Sequence, residues 1–203
     1  MAQYTPRELE AHVEAQVQCV GTKAFLTQDR HKRLREMWCA ARLALGYSNF
    51  IAECVVEIAS EDEDREFDFH LCTSGLRLPF QVAEVLDSGR RRGDEYNSQS
   101  KEEVAALHNE RDFEPSSYAA RRVHEELLSK ASKHYAGAES LHILLYLNVK
   151  ASSVAWASLA EGAESAAAHF ASVWVVSQDL FCCLRGGSMW PSLAHWRAIE
   201  REV

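Results

Sequence analysis

The most constraining feature of this chain is a nearly continuous apolar segment at residues 141–149, with the sequence LHILLYLNV. A strand that is apolar on both sets of alternating side chains is usually covered on both faces of its sheet. The alanine-rich segment that follows, residues 154–170, predicts a helix whose small side chains can pack close to a sheet. Residues 173–177 predict a second buried strand. This half of the chain therefore favours a sheet with helices packed on it.

The segments before this strand predict two helices and then three strands in succession. The first helix begins at Thr5, which forms a capping box with Glu8, and ends at Gly21. The second helix ends at Gly46. Three consecutive strands suggest an antiparallel meander, and a helix that then crosses to residues 141–149 suggests a parallel addition. The second helix is predicted at residues 27–46, the strands at residues 51–59, 66–72 and 78–86, and the crossing helix at residues 116–135.

The connecting and terminal segments complete this order. Residues 88–100 lack apolar periodicity and predict a loop, and residues 100–108 predict a short helix. Residues 180–184 predict a further strand, and Pro191 opens a final helix through Ile199. The whole pattern predicts an α/β fold with a mixed β-sheet flanked by helices on both faces. We expect residues 1–203 to form a single domain, with an N-terminal helical appendage at 1–26, a core at 27–177 and a C-terminal strand and helix at 178–203.

Composition limits the class of protein. The 203 residues are 47% hydrophobic and 26% charged, which is typical of a soluble globular protein. No apolar run approaches the roughly 20 residues that a membrane span needs, and the charged N-terminus does not resemble a signal peptide. The six cysteines show no C-x-x-C spacing, so we expect a cytoplasmic protein. A net charge of −8 argues against a non-specific nucleic-acid binder, although a local basic groove remains open.

The candidate functional residues lie in the predicted hairpin at residues 65–87. Asp68 stands between two phenylalanines, and Gln81 and Glu84 interrupt an otherwise apolar strand. A carboxylate flanked by aromatic rings loses hydration, which is costly unless a charged group lies beside it. A divalent metal ion would be such a partner. The alternative is a half-buried strand with polar side chains on its solvent face.

The element order, with an acid in the second strand and polar residues in the third, resembles the PD-(D/E)xK nuclease superfamily. The resemblance implies a restriction-endonuclease-like core in which Asp68 and Gln81 bind Mg²⁺ or Mn²⁺, with Glu84 as the other candidate acid. The lysine of the family pattern falls on Ala83 when Gln81 is the ligand, and on Leu86 when Glu84 is the ligand. Gln81 and Glu84 point to opposite strand faces unless a bulge intervenes.

The absence of this lysine leaves two interpretations open. A basic group from the following segment, such as Arg90, Arg91, Arg92 or Lys101, could occupy the same space. Alternatively, the fold has lost its chemistry and kept a binding role. An additional metal ligand could come from the preceding helix or first strand, where the candidates are Glu36, Glu53 and Glu57.

The loop after the third strand is a candidate nucleic-acid contact. Arg90, Arg91 and Arg92 lie between two glycines and precede Tyr96. Arginine forks match phosphate oxygens and a tyrosine ring can stack on a base. The alternative is a solvated loop whose arginines pair with the neighbouring acids, Asp94 and Glu95.

Two functions follow from these observations. The first is a metal-dependent nuclease-like domain that acts on nucleic-acid phosphodiesters. The second is a catalytically inactive nuclease-fold protein that binds a protein or a nucleic acid, and either could act as a homodimer. A cysteine nucleophile at Cys182 or Cys183, with His169 or His195 as its base, is a weaker alternative because most buried cysteines are structural.

Overall fold

The computed structural model describes residues 2–59, 67–87, 116–133, 135, 137–149, 155–186 and 195–200. Within these residues the strands form one mixed sheet whose spatial order follows the chain. The strands are β1 (Ala2–Tyr4), β2 (Val55–Ile58), β3 (Phe69–Thr73), β4 (Leu76–Leu86), β5 (His142–Asn148), β6 (Ser172–Ser177), β7 (Leu180–Arg185) and β8 (Arg197–Ala198). The α-helices are α1 (Pro6–Val20), α2 (Thr22–Thr27), α3 (Lys32–Phe50), α4 (Ser116–Ala131) and α5 (Trp156–Ala167), and short 3-10 turns cover Asp29–His31 and Ala138–Ser140.

The sheet has the predicted mixture of strand directions. Strands β1 to β4 are antiparallel, β4, β5 and β6 are parallel, and β7 and β8 are again antiparallel. Helix α4 precedes β5 and helix α5 connects β5 to β6, as parallel neighbours require. The prediction of an α/β fold with an antiparallel meander and a parallel addition is confirmed.

Helices cover both faces of the sheet because the central strands are apolar on both sides. Phe80 and Val82 of β4 pack into one core with α1 and α3. Ala83 and Val85 pack into a second core with α4 and α5. Strand β5 divides its side chains in the same way, with Leu144 in the first core and Ile143 in the second.

The N-terminal residues take part in this architecture. Thr5 and Glu8 form the predicted capping box, and Gly21 ends α1. Leu9 and Val13 of α1 are buried in the core that α3 shares with the sheet. The segment expected to be a helical appendage, residues 1–26, thus also supplies an edge strand, β1, which pairs with β2. Strand β1 was not predicted from the sequence.

The predicted hairpin forms with different bounds, because β3 begins at Phe69, so that Asp68 precedes the strand, and β4 already begins at Leu76. Strands β3 and β4 pair from Phe69 opposite Phe80 to Thr73 opposite Leu76. The turn residues Ser74 and Gly75 both have positive φ angles, 44° and 80°. Positive φ at both central positions belongs to the turn type whose twist matches that of a hairpin.

The second predicted helix differs from the observed one at both ends. Helix α3 begins at Lys32 and continues through Gly46 to Phe50. Gly46 does not end the helix. Instead, it permits a close approach, because a Cβ atom there would lie 2.6 Å from the Phe181 ring.

Replacing Gly46 with alanine is expected to destabilise the protein. The Phe181 ring is fully buried, and it stacks on Trp174 at 6.5 Å and packs against Phe50 at 5.7 Å, so it cannot easily move. Overpacking of this kind costs about 1–3 kcal/mol, which exceeds the gain of about 1 kcal/mol from alanine's helix propensity. Urea unfolding measures the difference.

Phe181→Leu provides the matched background for this measurement. If the clash with the ring causes the loss, Gly46→Ala should cost less in the Phe181→Leu protein than in the wild type, because contacting residues are not additive. Equal losses in both backgrounds would contradict the steric explanation.

The C-terminal prediction is wrong within the described residues. Arg197–Ala198 form β8 against β7 where a helix through Ile199 was expected. The backbone N–H of Ile199 donates to the Asp179 carbonyl at 2.7 Å, and the Ile199 side chain is buried. Strand pairing and burial of this side chain outweigh the local helical preference. The predicted short helix at residues 100–108 lies outside the described residues. Among the helices that the structure describes, none is long and apolar enough to cross a membrane.

Candidate functional site

Asp68 lies directly before β3, where the β3–β4 ladder ends. Its backbone N–H donates to the Phe80 carbonyl at 2.8 Å. Its carboxylate oxygen Oδ2 accepts a hydrogen bond from the Val82 N–H at 2.7 Å. Strand β4 continues past this point to Leu86. The Asp68 side chain therefore takes the place of a backbone partner for Val82.

Asp68 and Glu36 form a pair of partly desolvated carboxylates. Burial raises the pKa of Asp68, against the opposing effects of the Val82 N–H and of nearby lysine charges. Burial also raises the pKa of Glu36, on α3, and the negative charge of Asp68 acts in the same direction. The two acids therefore repel each other in a region that disfavours charge, an arrangement frequent at functional sites.

Two lysines approach these acids from opposite faces of the sheet. Lys32, on the first turn of α3, forms an ion pair with Glu36 at 3.2 Å, and this carboxylate raises the pKa of Lys32. Lys130 comes from the last turn of α4 and interacts electrostatically with Asp68. Burial, followed by the charge of Lys133, lowers the pKa of Lys130. Carboxylates and ammonium groups from the helices on both faces of the sheet thus lie near the end of the β3–β4 ladder.

Gln81 is adjacent to Asp68. It lies between Phe80 and Val82, the two residues whose backbone groups bond Asp68. Strand alternation places it on the face of α4 and α5, and it pairs with Ile143 of β5. Its buried side-chain oxygen Oε1 has no hydrogen-bond partner among the described residues. Such an oxygen is normally bonded or bound to a ligand.

Glu84 is separated from Gln81. It lies on the α3 face of β4, paired with Tyr146. Its oxygen Oε1 accepts a hydrogen bond from Asn148 Nδ2 at 2.9 Å. No bulge interrupts the β4–β5 pairing between Phe80 and Leu86, so the two candidate ligands point to opposite faces as expected. Asp68 and Gln81 are therefore neighbours, whereas Glu84 is engaged elsewhere.

Ala83, at the position of the expected lysine, is 4% exposed and packs in the core with α4 and α5. The basic residues proposed to replace that lysine, Arg90, Arg91, Arg92 and Lys101, lie outside the described residues, as does Tyr96.

Of the remaining sequence candidates, Glu53 is exposed, Glu57 is paired with an arginine, and the two cysteines are buried. Glu57 forms an ion pair with Arg77 at 2.7 Å, whose hydrogen bond lowers the pKa of Glu57. Cys182 and Cys183 are buried, which raises the pKa of both thiols and keeps them protonated. A cysteine nucleophile therefore receives no support.

Lys130 was not predicted from the sequence as a site residue. A signal was available in α4, where Val123, Leu127 and Lys130 share one helix face by their spacing of four and three residues. Val123 and Leu127 are fully buried, and Lys130 extends the same stripe. A lysine in line with a buried stripe must lie close to the sheet.

The comparisons with known proteins add a family and a fold. Residues 11–192 match the family described as "Putative endonuclease, protein of unknown function (DUF1780)". The chain belongs to this family. The description agrees with a nuclease-like protein and assigns no residues. No curated protein matches the chain significantly.

The fold of this DUF1780 member also occurs in a solved structure. That structure is a protein of unknown function from Pseudomonas aeruginosa strain PAO1, described as belonging to the monooxygenase superfamily. The two chains share 17% identity with a TM-score of 0.51, over 93% of this chain and 88% of the other. At this identity the likeness concerns the fold alone.

Proposed function

We propose that this protein is a metal-dependent nuclease whose site is formed by Asp68 and Gln81 on a restriction-endonuclease-like core of the PD-(D/E)xK type. One observation carries the proposal. The buried Oε1 of Gln81 has no protein partner within the described residues, and Gln81 lies between the two residues whose backbone groups bond the desolvated Asp68. The match to a family described as a putative endonuclease supports the same chemistry.

The donor atoms suit Mg²⁺ or Mn²⁺. Both ions prefer oxygen ligands, and Mg²⁺ retains several waters, so one or two carboxylates with substrate phosphate suffice to hold it. Asp68 and Gln81 offer a carboxylate and an amide oxygen at neighbouring positions, and Glu36 offers a second carboxylate that senses the charge of Asp68. Within the described ranges, no three His, Cys, Asp or Glu residues are grouped to hold a metal by themselves.

Hydrolysis of a phosphodiester adds one water across a P–O bond. The water oxygen bonds to phosphorus, the ester bond breaks with its electron pair on the leaving oxygen, and that oxygen takes up a proton while the water loses one to solvent. A divalent cation, when bound, supplies charge that offsets the negative charge building on the phosphate. Asp68 and Gln81 would hold that charge in place. The arginine loop, Arg90–Arg92 with Tyr96, stays a prediction for phosphate and base contact.

Gln81→Leu tests the metal role. Without metal, the free energy of unfolding should hold or rise by up to about 1–3 kcal/mol, because an unpaired buried oxygen is removed. The Mn²⁺-dependent rise in melting temperature should shrink, since a ligand that binds only the folded state stabilises it by mass action. Mn²⁺-dependent cleavage of labelled single-stranded DNA, duplex DNA and RNA should fall in parallel.

Two further variants sharpen this test. Gln16→Leu, at an exposed position on α1, is the matched control and should respond to Mn²⁺ as the wild type does. Gln81→Glu supplies a carboxylate oxygen and should shift the Mn²⁺ midpoint to lower concentration. If Mn²⁺ raises the melting temperature of Gln81→Leu as much as that of the wild type, Gln81 is not a metal ligand.

A second function is favoured by Ala83. Because this position carries no charge and is packed in the core, the site lacks the strand lysine of the PD-(D/E)xK pattern. The protein would then be an inactive nuclease-fold module that binds a nucleic acid or a protein, or a second copy of itself. Binding to labelled oligonucleotides without cleavage, and without any Mn²⁺ effect on melting, would support this alternative.

A further inference from the structure

The course of α4 along β4 determines what lies over the candidate site. Arg122 Nε donates to the Leu86 carbonyl at 2.8 Å, which attaches the start of α4 to the end of β4. From Arg122 to Lys130 a helix advances about 12 Å. The same distance of about 12 Å corresponds to roughly four residues of a strand. Counting back from Leu86, this places Lys130 near Val82. Val82 donates its N–H to the Asp68 carboxylate.

The electrostatic interactions of Lys130 agree with this placement. Lys130 interacts with Asp68 and with Lys32, the lysine that pairs with Glu36. The side chain of Lys130 is partly buried, whereas that of Lys32 is 75% exposed and already engaged by Glu36. Lys130 is therefore the less exposed of these two cations and is not the partner of Glu36 in that ion pair.

A phosphoryl-transfer site needs positive charge where the phosphate gains negative charge. Ala83, at the strand position of the expected lysine, carries no positive charge. Its methyl group faces the same core as Leu127, one turn before Lys130 on α4. The helix therefore brings an ammonium group to the face of the sheet on which Gln81 lies.

Building on the proposed nuclease function, we propose that Lys130 is a catalytic residue that contacts the scissile phosphate. Its ammonium group replaces, from helix α4, the charge that a lysine at position 83 would supply from the strand. In the hydrolysis described above, Lys130 donates a hydrogen bond to a phosphate oxygen and neither gains nor loses a bond to carbon or phosphorus.

The test compares Lys130→Met, Lys130→Arg, Lys23→Met and Asp68→Asn with the wild type. Single-turnover cleavage with Mn²⁺ uses one labelled oligonucleotide as single-stranded DNA, duplex DNA and RNA. Loss of a charge-stabilising donor typically costs about 10²–10³-fold in rate, so Lys130→Met should lose about 100-fold in kcat with little change in KM. Lys130→Arg should keep more activity, and Lys23→Met, at an exposed position on α2, should stay near the wild type.

Metal binding provides a second readout that does not depend on turnover. Removing a cation beside the metal ligands should strengthen Mn²⁺ binding, so the Mn²⁺ midpoint of thermal stabilisation should fall in Lys130→Met. A lysine with a purely structural role would lower the melting temperature and leave this midpoint unchanged. If Lys130→Met does not fold, Lys130→Gln, which keeps a polar side chain of similar length, takes its place.

The outcomes separate the two proposals. Full cleavage and an unchanged Mn²⁺ midpoint in Lys130→Met, with Asp68→Asn inactive, would overturn the role of Lys130 and leave the nuclease function standing. A wild type that shows neither Mn²⁺-dependent cleavage nor Mn²⁺ stabilisation would overturn the nuclease function, and the role of Lys130 with it.

Discussion

Asp68→Asn is expected to abolish Mn²⁺-dependent cleavage of nucleic acid and the stabilisation of the protein by Mn²⁺. The substitution removes the charge that would hold the cation, while its amide oxygen can still accept the hydrogen bond that Val82 N–H gives to Asp68 at 2.7 Å. In the proposed metal site, loss of the carboxylate would remove the electrostatic contribution that usually dominates such reactions. We therefore expect a loss of at least about 10²-fold in single-turnover rate.

In the absence of metal, Asp68→Asn should not destabilise the protein, although it removes activity. Burial raises the folded-state pKa of Asp68 above the ordinary value of 3.8. The folded protein therefore binds the proton more tightly than the unfolded chain, and this site's contribution to stability falls as the pH rises through the folded pKa. At neutral pH the charged form is the costly one, so Asp68→Asn should hold or raise the free energy of unfolding.

Asp68→Ala separates the charge from the hydrogen bond. It removes the same charge but leaves the Val82 N–H without its acceptor, which costs about 1–3 kcal/mol. Asp68→Ala should thus be less stable than Asp68→Asn, although both lose the Mn²⁺ response. Asp29→Asn, at an exposed position before α3, is the control. Equal Mn²⁺-induced shifts in the wild type and Asp68→Asn would show that Asp68 is a structural acid.

Acidification is expected to destabilise the protein through His142. This histidine is buried at the start of β5, where its Nδ1 lies 2.6 Å from Ser172 Oγ and its ring stacks on Phe80 at 5.0 Å. Trp174 Nε1 donates to the same Ser172 oxygen at 2.7 Å, so the serine hydroxyl is free to donate to an unprotonated Nδ1. Burial lowers the pKa of His142 from 6.5 to about 4.

The sign of the pH effect follows from this pKa. Between about 4 and 6.5 the unfolded chain binds a proton at His142 that the folded protein does not. The stability that depends on neutral His142 is therefore complete above 6.5 and is lost as the pH falls toward 4. At about 1.4 kcal/mol per pH unit, the full effect is about 3 kcal/mol.

Urea unfolding of the wild type and His142→Gln at pH 7, 5.5 and 4.5 measures this contribution. Glutamine can still accept the serine hydroxyl and does not titrate, so its stability should change less steeply with pH. His169→Gln, at an exposed position after α5, should follow the wild type. Parallel pH profiles for the wild type and His142→Gln would show that another group carries the acid sensitivity.

Much of the candidate site was visible in the sequence because it lies within one hairpin. The distance along the chain from Asp68 to Gln81 is short, and a hairpin brings such residues together by local pairing alone. The opposite orientations of Gln81 and Glu84 also follow from strand alternation. Glu36 was one of three candidate acids from outside the hairpin, and Lys130 was not predicted, because both reach Asp68 only through the packing of α3 and α4 on the sheet.

The sequence by itself determined the order and type of most elements and the two-sided coverage of the sheet, because periodicity, caps and apolar runs act over a few residues. Tertiary structure decided the features that depend on contacts between distant segments. Glycine is required at position 46, inside α3, because the Phe181 ring occupies the space that a side chain would take, and Arg197–Ala198 form a strand because β7 offers backbone partners. Lys130 lies near Asp68 because α4 runs back along β4. The local sequence carries no information about how close these two residues come.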